Sequence, residues 1–168
     1  MSSELILGII GTIIALSVAI TTIWQGVLTR RHNRLSVKPI LRIDRNAVKG
    51  EYASIILRNN GVGPAIINSV KFMVDGLTIP ENVRDPWIEV LNRIGLSDTS
   101  IRIQTIIPKE SFSAGEKFEL YKTINPVTEG EEINKIRTAV DRLTILIEYE
   151  SVYEEQFILR NPAINQGT

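Results

Sequence analysis

The residues best suited to chemistry in this 168-residue chain lie in "LRNNGVGPAII", Leu57 to Ile67. Asn59, Asn60, Gly61 and Gly63 tolerate positive φ, and Pro64 sets the exit, so the stretch reads as a sharp bend between two strands. Successive backbone N–H groups in such a bend can form an anion-binding concavity. Arg58 adds charge beside it, with Arg42, Arg45 and Lys49 as supporting cations. The competing reading is a tight inter-strand connection that holds no ligand. The bend lacks the Lys-Ser/Thr of a nucleotide-binding loop and any G-x-G-x-x-G ahead of a helix.

Other chemistries are poorly served. The chain has no cysteine, which excludes disulfides, thiolate metal sites and thiol nucleophiles. Its one histidine, His32, sits in "RRHNR", so one chain cannot build a multi-His metal site or a His-centred triad. The acid pairs Glu131-Glu132 and Glu154-Glu155 read as solvated faces. The sequence therefore predicts no enzyme and no cofactor. Net charge is zero, which argues against a DNA partner, but its distribution is uneven. Arg30 to Lys71 holds nine Lys/Arg against Asp44 and Glu51, a net of +7, while Phe72 to Thr168 nets −6.

Short β-runs surround the bend. Expected strands are Ser36 to Ile43, with Pro39 confining it to an edge or a strand start, Tyr52 to Arg58, and Ala65 to Val74. Ile67, Val70, Phe72 and Val74 are the core candidates of the last. Asp75-Gly76 turns the chain into "LTIP". Further strands are Ile101 to Ile107, Lys117 to Ile124, Leu143 to Glu150 and Gln156 to Arg160, the last two as a hairpin. Asp85-Pro86 starts a helix as N-cap and first residue, and Gly95 ends it. Thr128-Glu129-Gly130-Glu131 has the form of a capping box, followed by the stripe Ile133, Ile136, Val140 and Leu143, with Glu131, Glu132, Lys135, Arg137 and Asp141 outside it. The expected fold class is an N-terminal transmembrane helix plus a mainly-β, sandwich-like α+β domain of about seven strands with one or two helices.

The N-terminal element is the clearest. Leu5 to Leu28 is 24 residues without a charge, roughly 36 Å of helix against a hydrocarbon core of about 30 Å. The run exceeds a typical signal-peptide core, and "MSSE" before it carries no basic residue, so it reads as an anchor. Arg30, Arg31, Arg34 and Lys38 follow it, which by the positive-inside rule predicts a single-pass protein of the inner membrane with its C-terminal domain cytoplasmic. Residues 1–34 form the membrane helix and basic juxtamembrane segment, 35–160 the β-rich domain and 161–168 a tail. Gly8, Thr12, Ala15, Ala19, Thr22 and Gly26 fall on one seam of 3.5-residue period. Lipid tails are as apolar as leucine, so helices associate by close backbone approach, which small residues permit. The seam predicts a homo-oligomer in the bilayer.

"VKPILRI", "IILRNNGVGPAII" and the later hairpin "IEYESVYEEQFIL" resemble a group of small bacterial single-pass membrane proteins. These join an N-terminal helix to a cytoplasmic β-sandwich carrying an Asn-x-Gly-x-Gly-Pro-Ala bend. In layout the chain is also similar to membrane effectors of CRISPR-associated antiviral systems, which implies a cyclic oligonucleotide as ligand and the bilayer as target. Two functions are thus expected: an oligomeric effector whose domain senses an anionic signal, or a membrane-tethered scaffold that binds a protein through the β-domain, for instance by edge-strand pairing.

Replacing both Ala15 and Ala19 by Leu keeps the span apolar but blocks close approach. Cross-linking in membranes is expected to lose its oligomer ladder in this double variant. An unchanged ladder would place the interface elsewhere.

Overall fold

In α1, Ser3–Ser36, apolar side chains run round every face of the first seven turns, and three arginines enter only in the last two. This computed structural model describes residues 2–80 and 83–161. The 34-residue helix is unbroken, about 51 Å long at 1.5 Å per residue. Among the described residues it is the one helix long and apolar enough to cross a membrane. Its hydroxyls bond back to the preceding turn: Thr12 Oγ1 donates to Gly8 O at 2.9 Å, and Ser17, Thr21 and Thr22 donate to carbonyls four residues earlier at 2.8 Å. That geometry lets Ser and Thr sit in an apolar helix without leaving a hydroxyl unpaired.

The chain divides at the Ser36–Val37 bond into two compact units. The second is mostly antiparallel β-structure. Its strands are β1 Leu41–Asn46, β2 Ser54–Asn59, β3 Ala65–Val74, β4 Leu77–Thr78, β5 Ile101–Ile103, β6 Ser111–Phe112, β7 Lys117–Thr123, β8 Leu143–Glu150 and β9 Gln156–Asn161. One sheet has the order β1-β2-β7-β5; the other runs β4-β3-β8-β9, with β6 also paired to β3. A single apolar core collects residues from both sheets, including Leu57, Leu120, Ile67 and Ile147.

Local signals placed several elements well. The expected strands Ala65 to Val74 and Leu143 to Glu150 match β3 and β8 end to end, and β8–β9 is the expected hairpin. In α2, Pro86–Ile94, the Asp85 carboxylate accepts from Trp87 N at 3.0 Å, and Gly95 closes the helix at φ 78°. Trp87, Val90, Leu91 and Ile94 form its buried stripe, with the Trp87 and Phe72 rings 4.7 Å apart.

Other expectations need correction. The first strand starts at Leu41, because α1 continues through Ser36 and residues 37–40 wrap the bend instead. Residues 104–107 lie outside β5. In α3, Gly130–Asp141, the N-cap is Glu129, which makes no side-chain cap bond, so the capping box does not form. Leu143 belongs to β8 rather than to the α3 stripe, which is Ile133, Ile136, Ala139 and Val140. Val70 is only half-buried: a bulge between Ile67 and Ser69 shifts the strand's phase, so Ile67 and Phe72 both point inward although they are five residues apart. Of the expected tail, Asn161 closes β9 and the rest lies outside the described residues.

Candidate functional site

The bend after β2 is organised by one side chain. Asn59 is fully buried, and its Nδ2 donates to Gly63 O at 2.8 Å and Phe112 O at 3.1 Å. Its Oδ1 accepts from Gly61 N at 2.9 Å and Ile40 N at 3.2 Å. These four bonds use the whole capacity of the carboxamide. The backbone donors are also engaged: Asn59 N with Glu116 O at 3.0 Å, Asn60 N with Ile40 O at 2.7 Å, Val62 N with Lys38 O at 3.2 Å. The glycines are required by close approach. A Cβ on Gly61 would lie 2.4 Å from Lys38 O, and one on Gly63 only 1.8 Å from Val37 O. The N–H groups on which an anion concavity would draw at Asn59, Asn60, Gly61 and Val62 are therefore spoken for within the fold.

The expected cations separate into two groups. Arg42 and Arg58 are cross-strand neighbours on β1 and β2, a repulsive placement that Asp44 offsets. Arg42 Nε lies 2.9 Å from Asp44 Oδ1, and Arg58 Nε 3.6 Å from Oδ2. Lys49 sits exposed in the connection at the far end of this strand pair. Arg45 points to different chemistry.

Arg45 Nη2 donates to Leu143 O at 2.6 Å, and the Asn161 carboxamide, turned so that its oxygen faces the guanidinium, accepts from Nε at 3.0 Å. Nη1 is buried and has no hydrogen-bond partner among the described residues. Arg45 lines a cavity of about 230 Å³ between α3 and the strands β1, β2 and β7. Tyr121 of β7 lines the same cavity; it is 1% exposed, and its hydroxyl likewise has no partner among the described residues. Ala53, Ile136 and Val140 supply apolar wall, and Asn46, Ser54 and, on α3, Arg137 and Asp141 complete the polar lining. Arg137 Nη2 also donates to Ala47 O at 3.1 Å, tying α3 to the end of β1.

Burial disfavours the Arg45 charge, and Asp141 nearby offsets part of that effect. Burial also pushes the Tyr121 phenol up to about 12, with Glu132 adding to the rise. Tyr121 is thus a neutral donor at any physiological pH. An isolated buried donor costs about 1–3 kcal/mol, and native folds leave few of them. Among the described residues Arg58 Nε and Trp87 Nε1 are also buried without a partner, but only Arg45 and Tyr121 line this cavity. A second cleft of about 400 Å³, beyond Ile136 and lined by Asp98, Thr123 and Glu132 among others, has no such orphaned donor among the described residues. Nor do three or more His, Asp or Glu gather anywhere among the described residues to hold a metal ion.

Sequence reasoning named Arg45 only as support for the bend and overlooked Tyr121. It set Arg137 and Asp141 on the solvent side of α3. The available signal was positional: each follows a stripe residue, Ile136 or Val140, and so stands at the stripe's border.

Gly63→Ala and Tyr121→Phe are expected to move stability in opposite directions. The first forces backbone against backbone and should cost about 3 kcal/mol; the second removes an unpaired hydroxyl and should be neutral or stabilising by up to about 1 kcal/mol. Denaturant unfolding of the full chain in detergent reads both. The folded-state pKa of Tyr121 lies near 12, above an unfolded value of about 10. Its contribution is therefore complete below about pH 10 and is lost as pH rises from there through the folded value. Tyrosinate absorbance should rise with unfolding in that window, and Tyr121→Phe should move the transition to higher pH.

Comparison with known proteins finds no family model that matches this chain and no curated protein significantly similar to it.

Proposed function

We propose that this chain is a non-catalytic, single-pass membrane protein, oligomeric through the small-residue seam of α1. Its sandwich-like β-domain lies in the cytoplasm and senses an anionic signal in the cavity beneath α3. The observation that carries this reading is that two residues lining one 230 Å³ cavity, Arg45 and Tyr121, each hold a buried donor, Nη1 and Oη, with no partner among the described residues. Membrane insertion is supported by the length of α1 and by the internal pairing of its hydroxyls. The basic residues after the span support the cytoplasmic side. An effector role in antiviral defence is the biological setting suggested by the layout; the sensing step does not depend on it.

This reading moves the site from the bend to Arg45. The bend becomes a structural junction whose backbone donors at Asn59, Asn60, Gly61 and Val62 are already used. The scaffold alternative retains one specific support: β9 is an edge strand, and Ile158 on it is 68% exposed, a surface suited to pairing with a partner strand.

Thermal unfolding of the full chain in detergent, with and without a panel of small organic and inorganic anions, tests the sensing role. A ligand at 100 times its Kd adds about 2.7 kcal/mol to the bound fold, a shift of roughly 4 °C or more in Tm for a domain of this size. Arg45→Met should abolish the shift. If no anion raises Tm, the scaffold reading replaces this one.

A further inference from the structure

We propose that the cavity beneath α3 takes a small monocarboxylate with an apolar body, its carboxylate held by Arg45 and Tyr121. This deepens the sensing role and rests on the cavity being its site.

Size comes first. The cavity, at about 230 Å³, falls below the roughly 300–1,000 Å³ that encloses a drug-sized ligand. A cyclic oligonucleotide is at least that large and would stand mostly outside. A compact acid with a few carbons would be enclosed.

Charge narrows the class. Arg45 and Arg137 carry two positive charges on the lining and Asp141 carries one negative. The balance of +1 neutralises one negative charge. A phosphate dianion would leave an excess beside Asp141 in a partly desolvated site, where unbalanced charge is expensive. A carboxylate fits the donors as well. It accepts only, through two oxygens, and the two orphaned groups can both donate to it. A neutral carboxamide of the same shape would turn N–H donors toward a guanidinium.

The remaining surface sets the body of the ligand. Ala47, Ala53, Ile136 and Val140 are apolar and suit a hydrocarbon body, with the neutral side chains of Asn46 and Ser54 beside them. Arg45 itself is held from behind by Leu143 O at 2.6 Å, so its free Nη1 is pre-placed and loses little freedom on binding.

The test titrates the full chain in detergent micelles by calorimetry and by ligand-detected NMR. The probes are butyrate and benzoate, the neutral butyramide and benzamide, inorganic phosphate, and cyclic diadenylate. The expected result is binding of the carboxylates alone, weakened about tenfold or more by Arg45→Met, as loss of a charge-assisted hydrogen bond implies. Should Arg45→Met fail to fold, Tyr121→Phe, which removes only an unpaired hydroxyl, should still weaken carboxylate binding several-fold. Equal binding of amide and acid would overturn charge recognition, and carboxylate binding indifferent to both substitutions would overturn the location. If phosphate or cyclic diadenylate binds in an Arg45-dependent way while the carboxylates do not, the ligand class is wrong and the anion site stands. No binding by any probe removes both.

Discussion

The β-domain depends on the buried carboxamide of Asn59. Its four hydrogen bonds reach the segment before β1, the turn before β3 and the strand β6. Asn59 itself ends β2 in the first sheet and Phe112 lies in β6, which pairs with β3 in the second, so one side chain links the two sheets at the start of β3. Around it, residues 37–40 press so closely on the bend that two positions have no space for a Cβ. A buried polar network of this kind stabilises only when every member is satisfied. Here each of the carboxamide's donors and acceptors is matched.

Arg45 presents the opposite case. A half-buried guanidinium carries a desolvation penalty that Leu143 O, Asn161 and Asp141 offset only in part, since Nη1 still lacks a partner. Tyr121 adds a second unmatched donor on the same cavity. The Asn59 carboxamide thus saturates its polar groups completely, while the Arg45 and Tyr121 side chains leave two donors open. The contrast separates Asn59 from Arg45 more sharply than charge density does, because both lie in the +7 segment.

The N-terminal helix obeys a third constraint. The hydroxyls of Thr12, Ser17, Thr21 and Thr22 are satisfied within one turn of the helix itself, the pairing that an apolar surrounding would demand.

Features set by neighbouring residues were legible in the sequence: the long apolar helix, the ends of β3 and β8, the Asp85 and Gly95 caps of α2, and the bend itself. Each arises from local steric or hydrogen-bonding preference, which a short window of residues carries. The bulge at Asn68, the phase of Ile67 against Phe72, the two-residue strand β6 and the bare N-cap of α3 were decided by packing. The cavity was beyond local reading for the same reason. Arg45 and Tyr121 meet because β2 pairs with both β1 and β7, and α3 covers the result. Whether a basic or phenolic side chain finds a partner is settled only when distant strands are brought together. Spacing along the chain therefore showed that Arg45 was present, and the tertiary structure alone left its Nη1 open.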